Sequence, residues 1–188
     1  LGRAWGVQKE IDFILEREDC MSQLQQMRDS GELPVRVTHN DTKLNNVLFD
    51  RRTREALCVI DLDTVMPGLI LYDFGDAIRF GASSADEDEK DLDKVQLSLE
   101  LYRAFAEGYC SACSSLTKSE AELLALGAKT MTIECGMRFL QDYIDGDVYF
   151  RIDRERHNLD RARTQLKLLY DMERHWDEMN RIALECFR

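Results

Sequence analysis

The sequence predicts an α+β chain, mainly α, with one small β region that holds most of its unusual polar residues. Three observations lead there. Apolar residues recur at three- and four-residue spacing over long stretches before and after residues 35–72. Between about residues 35 and 72 that spacing gives way to short apolar runs separated by polar turns. At 188 residues and 44% hydrophobic content, the chain is also long enough to bury a sizeable core.

Taken in order, residues 8–30 form one helix with Ile11, Ile14, Leu15, Met21, Leu24 and Met27 on its apolar face, ended by Gly31 and Pro34. Residues 35–37, 46–49 and 56–60 are strands, the second and third joined by a turn at 50–54. A further apolar run, 68–72, leads into Asp73-Phe74-Gly75-Asp76 and a short helix. Residues 82–93 carry Asp86, Glu87, Asp88, Glu89, Asp91 and Asp93 against Lys90 alone, which reads as a solvated loop feeding the first turn of a helix. A calcium loop would need glycine where Asp91 stands. Thr117 and Glu120 have the spacing of a capping box, and the long helix behind them runs through Leu126, Ile133 and Leu140 to a stop at Gly146. A last helix spans residues 158–185.

Composition removes several functions. With 36 acidic against 25 basic residues, the net charge of -11 repels a nucleic-acid backbone, and an anionic substrate would require a metal. No apolar run reaches the roughly 20 residues that span a bilayer, and the N-terminus lacks the apolar core of a signal peptide. A soluble, cytoplasmic protein with no nucleic-acid or membrane partner is expected. The six cysteines are scattered and read as reduced thiols; Cys110 and Cys113 have the spacing of a redox or zinc half-site but no second pair follows.

The chemistry concentrates in residues 39–50, HNDTKLNNVLFD. Phosphoryl transfer from a nucleotide to a hydroxyl needs a carboxylate to orient the hydroxyl and take its proton, and ligands for the magnesium that neutralises the phosphates. Asp41 and Asn46 stand five apart, as in a kinase catalytic loop, with His39 two residues before the Asp. Asp41 is the candidate base. Lys43 can offset charge on the transferring phosphate, and the amide oxygen of Asn46 suits magnesium, a hard ion. The second metal ligand is Asp61, which follows the apolar strand Val59-Ile60, with Asp63 as a neighbour able to assist. Asp73-Phe74-Gly75 spells the protein-kinase motif that carries a magnesium Asp. A short hairpin separates Asn46 from Asp61, whereas reaching Asp73 takes another crossing, so Asp73 is assigned a structural role, capping the helix that follows.

These segments, His39-Asn-Asp41-Thr-Lys-Leu-Asn-Asn46 and Val59-Ile-Asp61-Leu-Asp63-Thr, resemble the catalytic and metal-binding segments of the aminoglycoside phosphotransferase and choline kinase superfamily. Within it the chain is most similar to the N-acetylhexosamine 1-kinase group, through Glu134-Cys-Gly-Met-Arg138-Phe-Leu, Gly146-Asp-Val-Tyr149-Phe and His157-Asn-Leu-Asp-Arg-Ala-Arg163. That resemblance implies ATP and magnesium as cofactors, Arg138 and Tyr149 as residues that touch a sugar, and Asp41 acting on an anomeric hydroxyl. It also implies that residues 1–188 are the C-terminal lobe of a protein-kinase-like fold. No GxGxxG is present and Lys9 is the only lysine before the catalytic loop, so the N-terminal nucleotide-binding lobe of the same protein is expected to lie outside this chain, which opens on Leu1. The fragment alone is then expected to be inactive. Two alternatives are a kinase of choline, homoserine, an aminoglycoside or another small alcohol, and a non-catalytic kinase-like binding module.

Overall fold

The computed structural model describes residues 2–187. Eight α-helices are present among them: α1 Gln8–Leu15, α2 Glu18–Asp29, α3 Ile70–Gly81, α4 Leu99–Ala112, α5 Lys118–Ala121, α6 Leu124–Asp145, α7 His157–Arg174 and α8 Trp176–Cys186. Four short strands, β1 Arg36–Thr38, β2 Val47–Phe49, β3 Ala56–Val59 and β4 Met66–Gly68, complete an α+β fold that is mainly helical. No helix among the described residues is long and apolar enough to cross a membrane.

The strands form two separate antiparallel pairs. β1 pairs with β4, Thr38 opposite Met66, and β2 pairs with β3, Val47 opposite Val59. Residues 39–46 run between the first strand of each pair, so the polar loop is bracketed by both hairpins.

Three expected helix boundaries are corrected. The helix expected over residues 8–30 is two helices, because Arg17 leaves helical geometry (φ -115°). Its guanidinium donates to the Phe13 carbonyl at 2.7 Å and reaches Glu173 on α7. The last helix also divides, at His175, where α8 turns to bury Met179, Ile182 and Ala183. The capping box at Thr117 is present, but it opens only the four-residue α5, and the long α6 begins afresh at Leu124. Apolar spacing continues across each break, which is why periodicity alone joins the pieces.

The helical body is close-packed. α3 and α6 cross so tightly that a Cβ on Gly75 would lie 2.3 Å from the Gly127 carbonyl oxygen, and one on Gly127 would lie 2.4 Å from that of Leu71. Only glycine allows backbones that close. Around this crossing Leu71, Phe74, Ile78, Tyr102, Leu124 and Leu168 are buried in the larger core. A second apolar cluster, with Val7, Ile14, Phe139, Leu140, Leu159 and Leu166, joins the N-terminal segment to α6 and α7. Gly146 adopts φ +104° at the end of α6, the left-handed helix stop that the sequence predicts.

The acidic stretch 82–93 is less solvated than its composition suggests. Glu87 pairs with the buried Arg79 at 2.7 Å. Asp88 takes hydrogen bonds from Arg154 at 2.6 Å and pairs with His157 at 2.9 Å. All six cysteines are free.

Candidate active site

The loop at 39–42 is held on the first turn of α3. Asp73, the fourth residue of that helix, accepts the backbone N–H of His39 at 2.8 Å and that of Asn40 at 2.7 Å, one on each carboxylate oxygen. Its own carbonyl accepts the Thr42 hydroxyl at 2.5 Å. Burial raises the pKa of Asp73, and the two backbone donors oppose that rise. Asp73 is thus structural, but the expected cap is corrected: its helix has already begun at Ile70, and the carboxylate caps the polar loop instead. Asn40 takes the left-handed conformation (φ 62°), which asparagine tolerates, and donates to the Thr64 carbonyl at 3.0 Å. Thr64 in turn donates to the His39 carbonyl at 2.6 Å.

This scaffold orients the three loop residues singled out in the sequence. Nδ1 of His39 accepts the Asp41 N–H at 3.3 Å and its Nε2 lies 3.0 Å from the Ile60 carbonyl, which ties the loop to the end of β3. Oδ2 of Asp41 accepts from Lys43 at 3.1 Å and from the Asn46 amide at 2.9 Å. The same Asn46 amide donates to the Asp41 carbonyl at 2.8 Å. Oδ1 of Asp41 accepts nothing among the described residues and remains open to an incoming hydroxyl. Asn46 is buried, and with its NH2 group committed to Asp41 its amide oxygen is the atom left to serve as a ligand.

Asp61 arrives by the β2–β3 pairing. The Ile60 N–H donates to the Asn46 carbonyl at 2.9 Å, so the residue after Ile60 lies beside Asn46 in the ladder. Asp61 has φ 62°, is exposed, and makes no side-chain hydrogen bond among the described residues. Asp63 is also exposed, in a single 3-10 turn at Leu62–Thr64. An amide oxygen and an unpaired carboxylate are hard donors that fit magnesium, which ordinarily takes one or two protein ligands and completes its shell with phosphates and water.

A cleft of about 460 Å³ opens beside the loop, and Asp41, Lys43, Arg138 and Tyr149 are all part of its lining. Four of the six candidate residues therefore share one cavity, while Asn46 and Asp61 lie outside its lining, on the hairpin side. The Arg138 guanidinium sits 5.8 Å from the Tyr149 ring and 5.5 Å from that of Phe150, within cation–π range. Tyr149 is 73% exposed, which makes it a rim residue and not a core aromatic.

Sequence reasoning missed the residue that positions Tyr149. Asp142, buried near the end of α6, accepts the backbone N–H groups of Val148, Tyr149 and Phe150 at 2.8–2.9 Å and the Asn158 amide at 2.8 Å. An aspartate within a long helix has no local signature of that role, because its partners lie beyond the helix end. Asp76, Arg79 and Glu134 also line the cleft and were missed. Burial raises the pKa of Glu134, against the nearby Arg138 and Arg79.

An aspartate with an open oxygen, a lysine beside it, and hard oxygen donors one hairpin away are the parts that phosphoryl transfer to a hydroxyl requires. The fold around them is the C-terminal lobe of a kinase-like fold. Residues 2–126, about two thirds of the chain, match the model of the phosphotransferase enzyme family (APH), and the chain belongs to that family. It falls within the aminoglycoside phosphotransferase and choline kinase superfamily, a group of small-molecule kinases that generally use ATP and magnesium. The match covers Asp41, Lys43, Asn46 and Asp61 and stops before Arg138 and Tyr149.

Proposed function

We propose that the protein is a cytoplasmic, ATP- and magnesium-dependent sugar kinase that phosphorylates the anomeric hydroxyl of an N-acetylhexosamine. The observation that carries this reading is the shared cleft, whose lining includes Asp41, Arg138 and Tyr149 together. Its ionisable lining is nearly balanced, with Asp41, Asp76, Glu87 and Glu134 against Lys43, Arg79, Arg138, Arg151 and Arg161. A neutral, oxygen-rich acceptor suits that balance better than a polycationic aminoglycoside or choline, which would call for an excess of acid.

In this reading Oδ1 of Asp41 accepts the proton of the attacking hydroxyl, while Lys43 and Asn46 fix the other oxygen and hold the carboxylate in place. Lys43, bound to Asp41 at 3.1 Å, would exchange that bond for one to the transferring phosphoryl group. Magnesium, held by Asn46 and Asp61, would neutralise the phosphate oxygens of the nucleotide. Tyr149 and Arg138 seat the sugar ring.

Residues 1–188 form the acceptor half in this account, and the nucleotide phosphates are clamped by an N-terminal lobe. The exposure of the strands supports that division. Val37 is 78% exposed, and Val35, Leu48, Phe49, Leu57, Val59 and Met66 are exposed with it, a concentration of apolar side chains beside Asn46 and Asp61 that a second lobe would cover.

The test is an acceptor panel offered to the full-length protein with ATP and magnesium: N-acetylhexosamines, choline, homoserine and an aminoglycoside. Phosphorus NMR should place the new phosphate on the anomeric oxygen of an N-acetylhexosamine. Turnover of a non-sugar alone would overturn the assignment. Asp61→Asn should abolish magnesium-dependent turnover with the fold intact, whereas Asp73→Asn should loosen the loop without removing a metal ligand.

A further inference from the structure

One residue that lines the cleft keeps a buried polar atom without a partner. Asp76 is buried at 5% exposure in the middle of α3 and lines the same cavity as Asp41. Its Oδ1 accepts two hydrogen bonds from Arg79, from Nε at 3.0 Å and Nη2 at 2.8 Å. Its Oδ2 is buried and accepts none. Arg79 has a planar fork that can bridge both oxygens of a carboxylate, yet here both N–H groups converge on one. The remaining Arg79 nitrogen, Nη1, is drawn away to Glu87 at 2.7 Å.

A buried carboxylate oxygen with no donor costs more than an ordinary hydrogen bond returns, so such atoms in native proteins are completed by water or by a ligand. We infer that Oδ2 of Asp76 is a specificity contact, which accepts a hydrogen bond from a ring hydroxyl or the amide N–H of the acceptor sugar. This rests on the sugar-kinase reading of the cleft. The chemistry narrows the donor. A carboxylate repels a phosphate oxygen, so the contact belongs to the acceptor and not to the nucleotide. Arg79 already supplies the compensating charge, so a neutral O–H or N–H suffices and a cationic substrate is not demanded.

The position is also rigid. Gly75, the preceding residue, lies against the Gly127 backbone, which seats this turn of α3 on α6. A fixed acceptor that goes unpaired when its donor is missing is the arrangement that rejects a deoxy analogue.

The experiment compares full-length wild type and Asp76→Asn, with N-acetylglucosamine and N-acetylgalactosamine, their monodeoxy analogues and the N-deacetylated sugars as acceptors. The substitution keeps the shape and allows an NH2 group to replace the unpartnered acceptor. With the better parent sugar, kcat/KM should fall about 100-fold in the variant while KM for ATP is unchanged. In wild type one analogue should fall by a similar factor, and the variant should no longer distinguish that analogue from the parent. An equal fall for every acceptor would mean that Asp76 only supports Arg79, and would overturn the inference. Should the variant fail to fold, carbon NMR of the wild-type Asp76 carboxylate decides. A shift on adding the parent sugar but not the selected analogue supports the contact, and no shift with either rejects it. Failure of wild type to phosphorylate any sugar would instead refute the underlying reading.

Discussion

The hairpin region and the helical body are built on opposite terms. Where α3 crosses α6 the backbones touch through Gly75 and Gly127, and Phe74, Leu71 and Leu124 are wholly buried around them. Across residues 35–66 the apolar residues mostly face outward: every residue of β3 is exposed. The helical body is fixed by packing, whereas the polar loop at 39–46 is fixed by hydrogen bonds, chiefly those that Asp73 receives from His39 and Asn40 and those that Asp41 receives from Lys43 and Asn46. The loop is thus positioned without a hydrophobic core of its own. One side of the site is supplied by the helices, and the other carries an exposed apolar face.

That contrast can be broken at the site first. Asp41→Asn in the full-length protein should lower kcat on the accepted sugar by about 1,000-fold, the scale of a general base. Its thermal unfolding should change little, since Asn retains the neighbours' hydrogen bonding in part; steady-state kinetics and calorimetry on one sample check both halves.

The next largest effect belongs to the packed body. Gly75→Ala places a methyl carbon against backbone atoms that cannot rotate away, and should destabilise the protein by about 3 kcal/mol in chemical denaturation. A loss below about 0.5 kcal/mol would show that the helices can separate and that the body is no more rigid than the hairpins.

The join between the two regions is Arg36 on β1, whose guanidinium grips the buried Glu120 at 2.9 and 3.0 Å. Burial tends to raise the Glu120 pKa, but the bonds from Arg36 and Thr117 outweigh it and hold it below the ordinary glutamate value. A depressed carboxylate pKa gives stability that is present above the unfolded-state value and is lost as pH falls through the folded one. Glu120→Gln should therefore cost about 2 kcal/mol at pH 7, and the gap to wild type should close on acidification below the usual glutamate range. Denaturation midpoints across that window check the sign.

The smallest effect probes the exposed face. Val37→Ser and Val59→Thr should change the stability of this chain by less than about 0.5 kcal/mol, as surface substitutions do. In the full-length protein the same changes should raise KM for ATP while leaving KM for the sugar unaltered. Equal stability losses in both forms would mean that no second lobe covers these strands.

Local signals were readable wherever the partners lie close in sequence. The Asp41, Lys43 and Asn46 cluster spans six residues, and one short hairpin brings Asp61 beside it. The capping box at Thr117 and the stop at Gly146 are likewise completed within a few residues. Asp73-Phe74-Gly75 shows the limit of such reading. Its letters suggest a metal motif; in the fold its aspartate caps a loop 33 and 34 residues away and its glycine admits a helix crossing. Asp142 and Asp76 had no signal, because one is defined by the amides beyond its helix and the other by a missing partner inside a cleft.

Fold class and family were legible from the residue order alone, because hydrophobic period and short-range spacing are set by neighbours along the chain. Where the helices break and which acid holds the loop follow from contacts made in three dimensions. The same contacts bring Arg138 and Tyr149 into one cleft with Asp41, since those relations depend on elements about 100 residues apart being pressed together by a core that only the folded chain contains.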